Sequence, residues 1–467
     1  MSILTQKAFP LFMQSVFSAT TEKIINIMSP QSVFNGVIDY VSLVEDISQL
    51  TYETARAIFE SSIEEMDLLF RNSPNRVQQF YVKHRRTRML ITPFGRVNIN
   101  RTIYKDRATG KDYCYVDRKL GLPKYDRYDP CVKSMLVGLY ADHNSMIKVG
   151  EIIGNRIGNA YSLSDSQEFT ISRQTVHNTL KNTRLLKPPV ESSPTPHTLY
   201  IMADEKYVHL NTRKNKMVKS AVLFEGIREG SRNELINKHH IMSMRPMFWE
   251  TVADVIYERY DITRLKRIMV IGDGAHWIKE SLKFIKTQDI KCKFLLDKFH
   301  FKQSLNRITK DKDLQSTLEE TVLKNKPEIF TGLIEIIKSN NATRKDPIDQ
   351  QAQYILNNQS YIRQSYRYNV NCSMESSISH TLASNFTRNP KAFSFDNIEV
   401  YVNHRMNHLN GYNIKELYLK GLYVKDDNGI KDLSTSQLDF SIFDRKKHQT
   451  KFDAKMHLNA IISSYEY

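Results

Sequence analysis

Residues 267–277 read RIMVIGDGAHW. Ile268 to Ile271 form an unbroken apolar run, too short for a helix of its own, of the kind carried by a strand buried on both faces. The run ends on Asp273, followed by the small residues Gly274 and Ala275. Strand propensity disfavours an acid at that position, so the carboxylate calls for a reason.

Reading outward, TLYIMADEKYVHL (198–210) is a strand that ends in acid at Asp204, and KMVKSAVLFEGI (216–227) and KHHIMSM (238–244) are two further strands. PMFWETVADVIYERY (246–260) has helical spacing, HWIKESLKFIK (276–286) follows the 267–273 strand as a helix, and KCKFLLDKFHF (291–301) is a strand running into a helix. The order is βββαβαβ, three antiparallel strands followed by parallel strands joined through helices. That is the order of an α/β, ribonuclease H-like mixed sheet. In such a sheet the first and fourth strands are neighbours, so Asp204 and Asp273 are expected at adjacent strand tips. Two carboxylates held together repel unless divalent cations bridge them, and Mg²⁺ (or Mn²⁺) suits carboxylate and water ligands. A third carboxylate commonly completes a two-metal site, and Glu375, in NCSMESSISH (371–380), is the candidate. Taken singly, each acid could equally be a capping aspartate or a solvated glutamate.

The motifs DEKYVHL, VIGDGAHWIK, LLDKFH and CSMESSISHTLAS, in this order, together with TPFGRVNINRTIYKD and ISRQTVHN upstream, resemble those of the ISLre-type insertion-sequence transposases, a DDE family formerly catalogued as uncharacterised. The resemblance covers roughly residues 80–395. It implies DNA cleavage at insertion-element ends and strand transfer by a ribonuclease H-like domain, with Asp204, Asp273 and Glu375 as catalytic, metal-binding triad. The family pattern has Gly-His after the glutamate; this chain has Ser376 and Ser377 there and keeps His380. Weaker candidates for lining the site or touching DNA are Asp297, His300, His276 and His380. Asp297 could instead cap a helix. Glu205 is expected on the opposite face of its strand from Asp204.

The rest of the chain divides by pattern. Residues 1–80 read as helices, either packed on the remainder or used in self-association. Residues 81–129 form a basic β-rich region whose exposed candidates are Arg85, Arg86 and Arg88, interleaved with tyrosines. Residues 130–186 are helical, and Ser172 would cap a helix-turn-helix-like segment presenting Arg173, Gln174, His177 and Asn178 to DNA. A plain surface helix is the alternative. KPPVESSPTPH (187–197) is a linker. The catalytic domain would span 198–395, with a helical insertion at about 302–360, and 396–467 is a polar, aromatic tail without an assigned fold.

Composition narrows the partners. With 67 Lys+Arg against 51 Asp+Glu, the chain carries a formal charge of +16, which favours a polyanion. Nucleic acid is therefore the leading candidate; the resemblance makes the partner DNA, as element terminal repeats and target, and the joining of two ends it implies calls for a homo-oligomer. No apolar stretch approaches the roughly 20 residues that span a bilayer, and no signal peptide or lipidation motif is read, so no membrane partner is expected. Four scattered cysteines without a C-x-x-C pair fit a reducing, cytoplasmic, nucleoid-associated location and argue against a zinc site. Three rivals remain. A catalytically inactive, transposase-derived DNA-binding protein would keep the acids as remnants. A glycoside hydrolase would have few aromatics to stack sugars, with only two tryptophans. A capsid-like protein would leave the strand-end acids unexplained.

Overall fold

A 32-residue helix, α1 (Tyr40–Arg71), lays acidic side chains along a strand edge. It is followed by α2 (Pro74–Gln79) and the antiparallel strands β1 (Phe80–Thr92) and β2 (Gly95–Asp106), with the short β3 (Asp112–Tyr113) and α3 (Tyr115–Lys119) completing a small unit. Beyond its brief pairing with β3, the outer edge of β2 would leave backbone donors unpaired. In this computed structural model Glu60 accepts from the Asn98 N–H and Asp67 from both the N–H and the hydroxyl of Thr102. Ile63, Leu90, Val97, Ile99, Val116 and Leu122 form the core beneath. The structure describes residues 40–158, 169–183, 185, 187–230, 234–340, 342–370, 381, 386 and 393–423, with 18, 21, 22 and 25.

Helices α4 (Pro130–His143), α5 (Met146–Gly158) and α6 (Arg173–Lys181) pack as a three-helix group. Gly150 and Gly154 make this possible: a Cβ on either would lie 2.1 Å from the Ile171 carbonyl or 2.6 Å from that of Phe169, respectively. Ser172 caps α6 by accepting from the Thr175 N–H, as its sequence position suggests.

Then come β4 (Thr198–His209), β5 (Asn215–Phe224), the short hairpin β6 (Gly226–Ile227) and β7 (Leu235–Ile236), and β8 (His239–Ser243). They are followed by α7 (Phe248–Arg259), β9 (Arg267–Gly272), α8 (His276–Lys279), α9 (Ser281–Ile285) and β10 (Lys291–Leu296). The five long strands form one sheet in the order β10-β9-β4-β5-β8. β4 is antiparallel to β5 and β5 to β8, whereas β4, β9 and β10 run parallel. Five helices follow: α10 (Lys298–Ile308), α11 (Lys312–Leu323), α12 (Pro327–Ser339), α13 (Lys345–Asn357) and α14 (Gln359–Tyr368). Two more, α15 (Phe395–Leu409) and α16 (Ile414–Tyr423), occupy part of the tail for which sequence patterning assigned no fold.

Side-chain alternation sorts the sheet's two faces. Leu199, Ile201 and Ala203 of β4, Ile268 and Val270 of β9, and Phe294 and Leu296 of β10 enter one large cluster with α7 and the helices after β10. Met202, Met269, Ile271 and Leu295 face the other way, beneath Tyr368 and Val370. Farther along that second face, Val208 of β4 and Val218 of β5 join a different cluster with α4, α5, α6 and α15, which also holds Phe386 and Phe393. The helix-turn-helix-like region and the start of the tail therefore share a core with the sheet rather than standing apart from it. Residues 1–421 cluster as one body; of the second, 422–467, only the first two residues are described.

The proline-rich segment also departs from a free tether. Ser193 donates its N–H to the Arg259 carbonyl, Thr195 accepts from the Asp261 N–H and Tyr412 donates to the Pro189 carbonyl, so 187–197 is laid against folded structure.

Candidate acidic site at the parallel strand ends

The site follows from register. β4 pairs with β9 at a fixed offset, Thr198 with Arg267 through Met202 with Ile271. Carried two residues further, that register sets Asp204 level with Asp273. β10 pairs with β9 from Lys291 opposite Arg267 to Leu296 opposite Gly272, and one more step sets Asp297 level with Asp273. By alternation Asp204 belongs to the face of Met202, and Asp273 and Asp297 directly follow the ends of β9 and β10, close enough for Asp273 to act on Asp204 and for both to act on His300. The Asp297 N–H donates to the Gly272 carbonyl at 2.8 Å and locks the two strand ends together. A Cβ at Gly272 would lie 3.1 Å from the Ala203 carbonyl and 2.9 Å from Ile278, so only glycine fits this close approach without a shift.

Asp204 is not at a strand tip, as its sequence setting suggested. β4 continues to His209, and Asp204 pairs with Ser220 of β5 in mid-strand. It stands where β4 outruns β9, between the apolar cluster of Met202 and that of Val208. That half-buried setting pushes its carboxyl up to about 6. Asp273 and Glu205 add to the rise, while the Glu205 N–H, 2.7 Å from Oδ1, and His300 oppose it. Asp273 holds its own loop, its Oδ1 accepting from the Ala275 N–H at 2.8 Å. Among the described residues, Oδ2 of neither aspartate accepts a hydrogen bond.

Asp297 is committed differently. It is buried, caps α10 by accepting from the Phe299 N–H, and holds His300 Nδ1 at 3.0 Å from its Oδ2. That bond raises the His300 pKa; burial opposes the rise, and the fields of Asp297, Asp273 and Asp204 reinforce it. An imidazole that senses all three acids lies among them. With both oxygens engaged, Asp297 orients His300 and offers no lone pair comparable to those of Asp204 and Asp273.

Around this group are side chains whose roles no local sequence signal marks. Glu205 points to the opposite face from Asp204, as expected, and accepts from Trp277 Nε1 at 2.6 Å, while the Trp277 carbonyl accepts from Trp249 Nε1 at 2.6 Å. These bonds tie the loop after Asp273 to β4. Tyr354 of α13 donates to the Asp273 carbonyl at 2.5 Å. Lys279 is half-buried; burial lowers its pKa and the field of Asp273 opposes the drop. His276, by contrast, is highly exposed and lies 3.5 Å from Glu280, outside the acidic group.

Glu375 and His380 lie outside the described residues. Among the described residues no three His, Cys, Asp or Glu side chains are grouped so as to hold a metal ion. Asp204 and Asp273 stand close enough for the charge of Asp273 to raise the Asp204 pKa. The segment carrying Glu375 is flanked by Val370, packed with Met202 and Met269, and by Phe386, packed in the cluster of Val208. Its described flanks thus sit on the Asp204 face, one on either side of that residue.

Of the basic candidates, Arg85 and Arg86 are exposed on the outer half of β1. Arg88 is not available to a ligand: it is buried, pairs with Asp117 at 3.1 Å and donates to the Pro123 and Asp126 carbonyls. Sequence reasoning placed it with the surface cations because its acidic partner is far along the chain. Arg173, Gln174 and Asn178 are exposed on α6, with Gln174 donating to Asn178 at 2.8 Å, whereas His177 is half-buried.

A family model described as "Uncharacterised protein family (UPF0236)" matches residues 35–420. The chain belongs to the UPF0236 family. Similar members include three UPF0236 proteins of Caldanaerobacter subterraneus subsp. tengcongensis, each 28% identical over 413 residues. The alignments cover 85% of this chain and 79–83% of those relatives. Their names join four, two and eleven locus designations, so one bacterium carries many UPF0236 genes. Among the described residues of this UPF0236 protein, no helix is long and apolar enough to cross a membrane.

Proposed function

We propose that this UPF0236 protein is a DDE-type transposase that cuts and joins DNA at insertion-element ends, using a ribonuclease H-like domain. The observation that carries the reading is that the β4–β9 register brings Asp204 level with Asp273 just past the end of β9, each, among the described residues, with a carboxylate oxygen unengaged. The strand order β10-β9-β4-β5-β8, with its antiparallel and parallel halves, supports the fold. The many loci of the relatives agree with a self-spreading element.

The donor set fits Mg²⁺ or Mn²⁺: two carboxylates repel, burial and that repulsion hold Asp204 at about 6, and hard divalent cations prefer oxygen ligands. Asp204 and Asp273 would hold the ions and Glu375 would complete the set, since five residues from Val370 reach about 17 Å at full extension. Ions held there would supply Lewis acidity for the attacking water or 3′-hydroxyl and for the leaving oxygen of the phosphodiester. The protein's own groups supply position. Trp277 and Glu205 hold the Asp273 loop to β4, and Asp297 fixes the His300 ring where it can carry a proton at Nε2. Exposed Arg85 and Arg86 supply phosphate affinity, and Arg173, Gln174 and Asn178 form the base-reading face of α6. The active form is a homo-oligomer acting on DNA in the cytoplasm.

The test compares wild type with Asp204→Ala on DNA carrying the ends that flank the gene. The reading expects Mg²⁺-dependent cleavage by wild type, loss of cleavage in the variant, and unchanged DNA binding. A wild type that binds these ends but fails to cleave them, whichever divalent ion is supplied, is instead the inactive, transposase-derived DNA-binding protein.

A further inference from the structure

Between α12 and α13, beside the Asp273 loop, lies a cleft of about 760 Å³, within the size range of small-molecule sites. Its inner end is the backbone of Gly274, at φ +92°, together with Lys279 and Asn358. Its floor is apolar, built on Phe330, Ile334 and Ala352. One wall is a row of neutral amides, Gln350, Gln353 and Asn357, spaced three and four residues apart on one side of α13. Gln353 donates to Asn357 at 2.8 Å, which aligns the pair and leaves each amide further capacity.

Two features indicate what this cleft takes. The rim acids Glu335 and Asp349 both pair with Lys338, at 2.9 and 2.8 Å, so the cleft offers an anion no more than Lys279. Asn358, which is 3% exposed, donates its Nδ2 to the Tyr354 carbonyl, yet among the described residues its Oδ1 is buried without a hydrogen-bond donor. An unfilled acceptor of this kind at the inner end of a cleft suits a ligand that donates N–H. A flat ligand with apolar faces and a donor–acceptor edge matches apolar floor and amide wall, and meets the unpaired but covered Asn358 Oδ1 once that side chain shifts outward. A nucleobase has that chemistry, and Asn and Gln are the side chains that read it in pairs of hydrogen bonds.

We propose that the cleft receives one unpaired nucleobase of the DNA, swung out of the helix next to the phosphodiester held at Asp204 and Asp273. The proposal rests on the DNA reading above. A stacked, paired base cannot enter a cleft between two helices, so the site selects DNA that is already open or easily opened at that step.

The test uses two short duplexes of one sequence, one fully paired and one with 2-aminopurine opposite an abasic site, bound by the full-length protein in Ca²⁺. Wild type should bind the abasic-opposed duplex about ten-fold more tightly, the discrimination of one good base contact, with a change in 2-aminopurine fluorescence. Gln353→Leu with Asn357→Leu, both on the exposed side of α13, should remove that preference and leave affinity for the paired duplex unchanged. Equal binding of both duplexes by wild type, or the preference kept in the double variant, overturns the cleft assignment alone. Failure of wild type to bind either duplex overturns it along with the DNA reading.

Discussion

Asp204→Asn should stabilise the metal-free protein while abolishing its chemistry. The asparagine keeps the shape and the oxygen that accepts from the Glu205 N–H, but it carries no charge to bury beside Asp273. In the folded chain the Asp204 carboxyl is raised from 3.8 to about 6, so the folded state holds this proton more tightly than the unfolded state does. The sign follows: the group costs nothing below the unfolded value, stability falls as pH rises between the two, and the full penalty is present above about 6. A rise of that size corresponds to about 3 kcal/mol, and partial solvent contact reduces it to about 2 kcal/mol. For a chain of this length that is a gain of about 2–3 °C in Tm near pH 8 in EDTA, shrinking to about a third by pH 4.5. Differential scanning fluorimetry of both proteins across pH reads it directly. Saturating Mg²⁺ should then raise the Tm of wild type and leave that of the variant unmoved, because only the former gains a ligand. A variant less stable than wild type at pH 8, or a gain that does not change with pH, would refute the electrostatic account of the pair.

Trp277→Phe removes the bond to Glu205 that fastens the Asp273 loop to β4, and should raise the Mg²⁺ concentration for half-maximal cleavage about ten-fold while leaving the maximal rate nearly intact, as seen in a metal titration. Arg85→Ala and Arg86→Ala should each weaken DNA binding and lower the slope of log affinity against log salt by about 1, measured by fluorescence anisotropy. Arg88→Ala should do neither; Asp117 keeps Arg101 at 3.0 Å but loses Arg88, and the Pro123 and Asp126 carbonyls lose their donor, which together should cost the fold about 3 kcal/mol in urea unfolding.

What the sequence disclosed follows the range of the forces involved. The apolar runs 268–271 and 199–203 announce buried strands, and Gly272 and Gly274 mark the tight loop that presents Asp273. Asp204 was harder to place, because a polar half-strand looks like a strand that has stopped. β4 continues because its second half is paired by β5 and packed through Val208, and that cluster comes from helices scattered along the chain. Arg88 misleads for a related reason: a buried cation is spelled like an exposed one until Asp117 is brought to it. The spacing of Ile398, Tyr401 and Val402 is helical and was hidden by the polar residues between them. Tyr354 and Asn358 reach the Asp273 loop only because five helices return to the sheet, so no local pattern names them.

The central claim is that Glu375 meets Asp204 and Asp273 at one divalent-cation site. Replacing Mg²⁺ by Fe²⁺ and adding ascorbate and peroxide generates hydroxyl radicals at the bound ion, which cut the backbone beside its ligands. The account predicts peptide cuts near residues 204, 273 and 375 together, all suppressed by excess Mg²⁺. Cuts near 204 and 273 without one near 375, or a pattern indifferent to Mg²⁺, would contradict it.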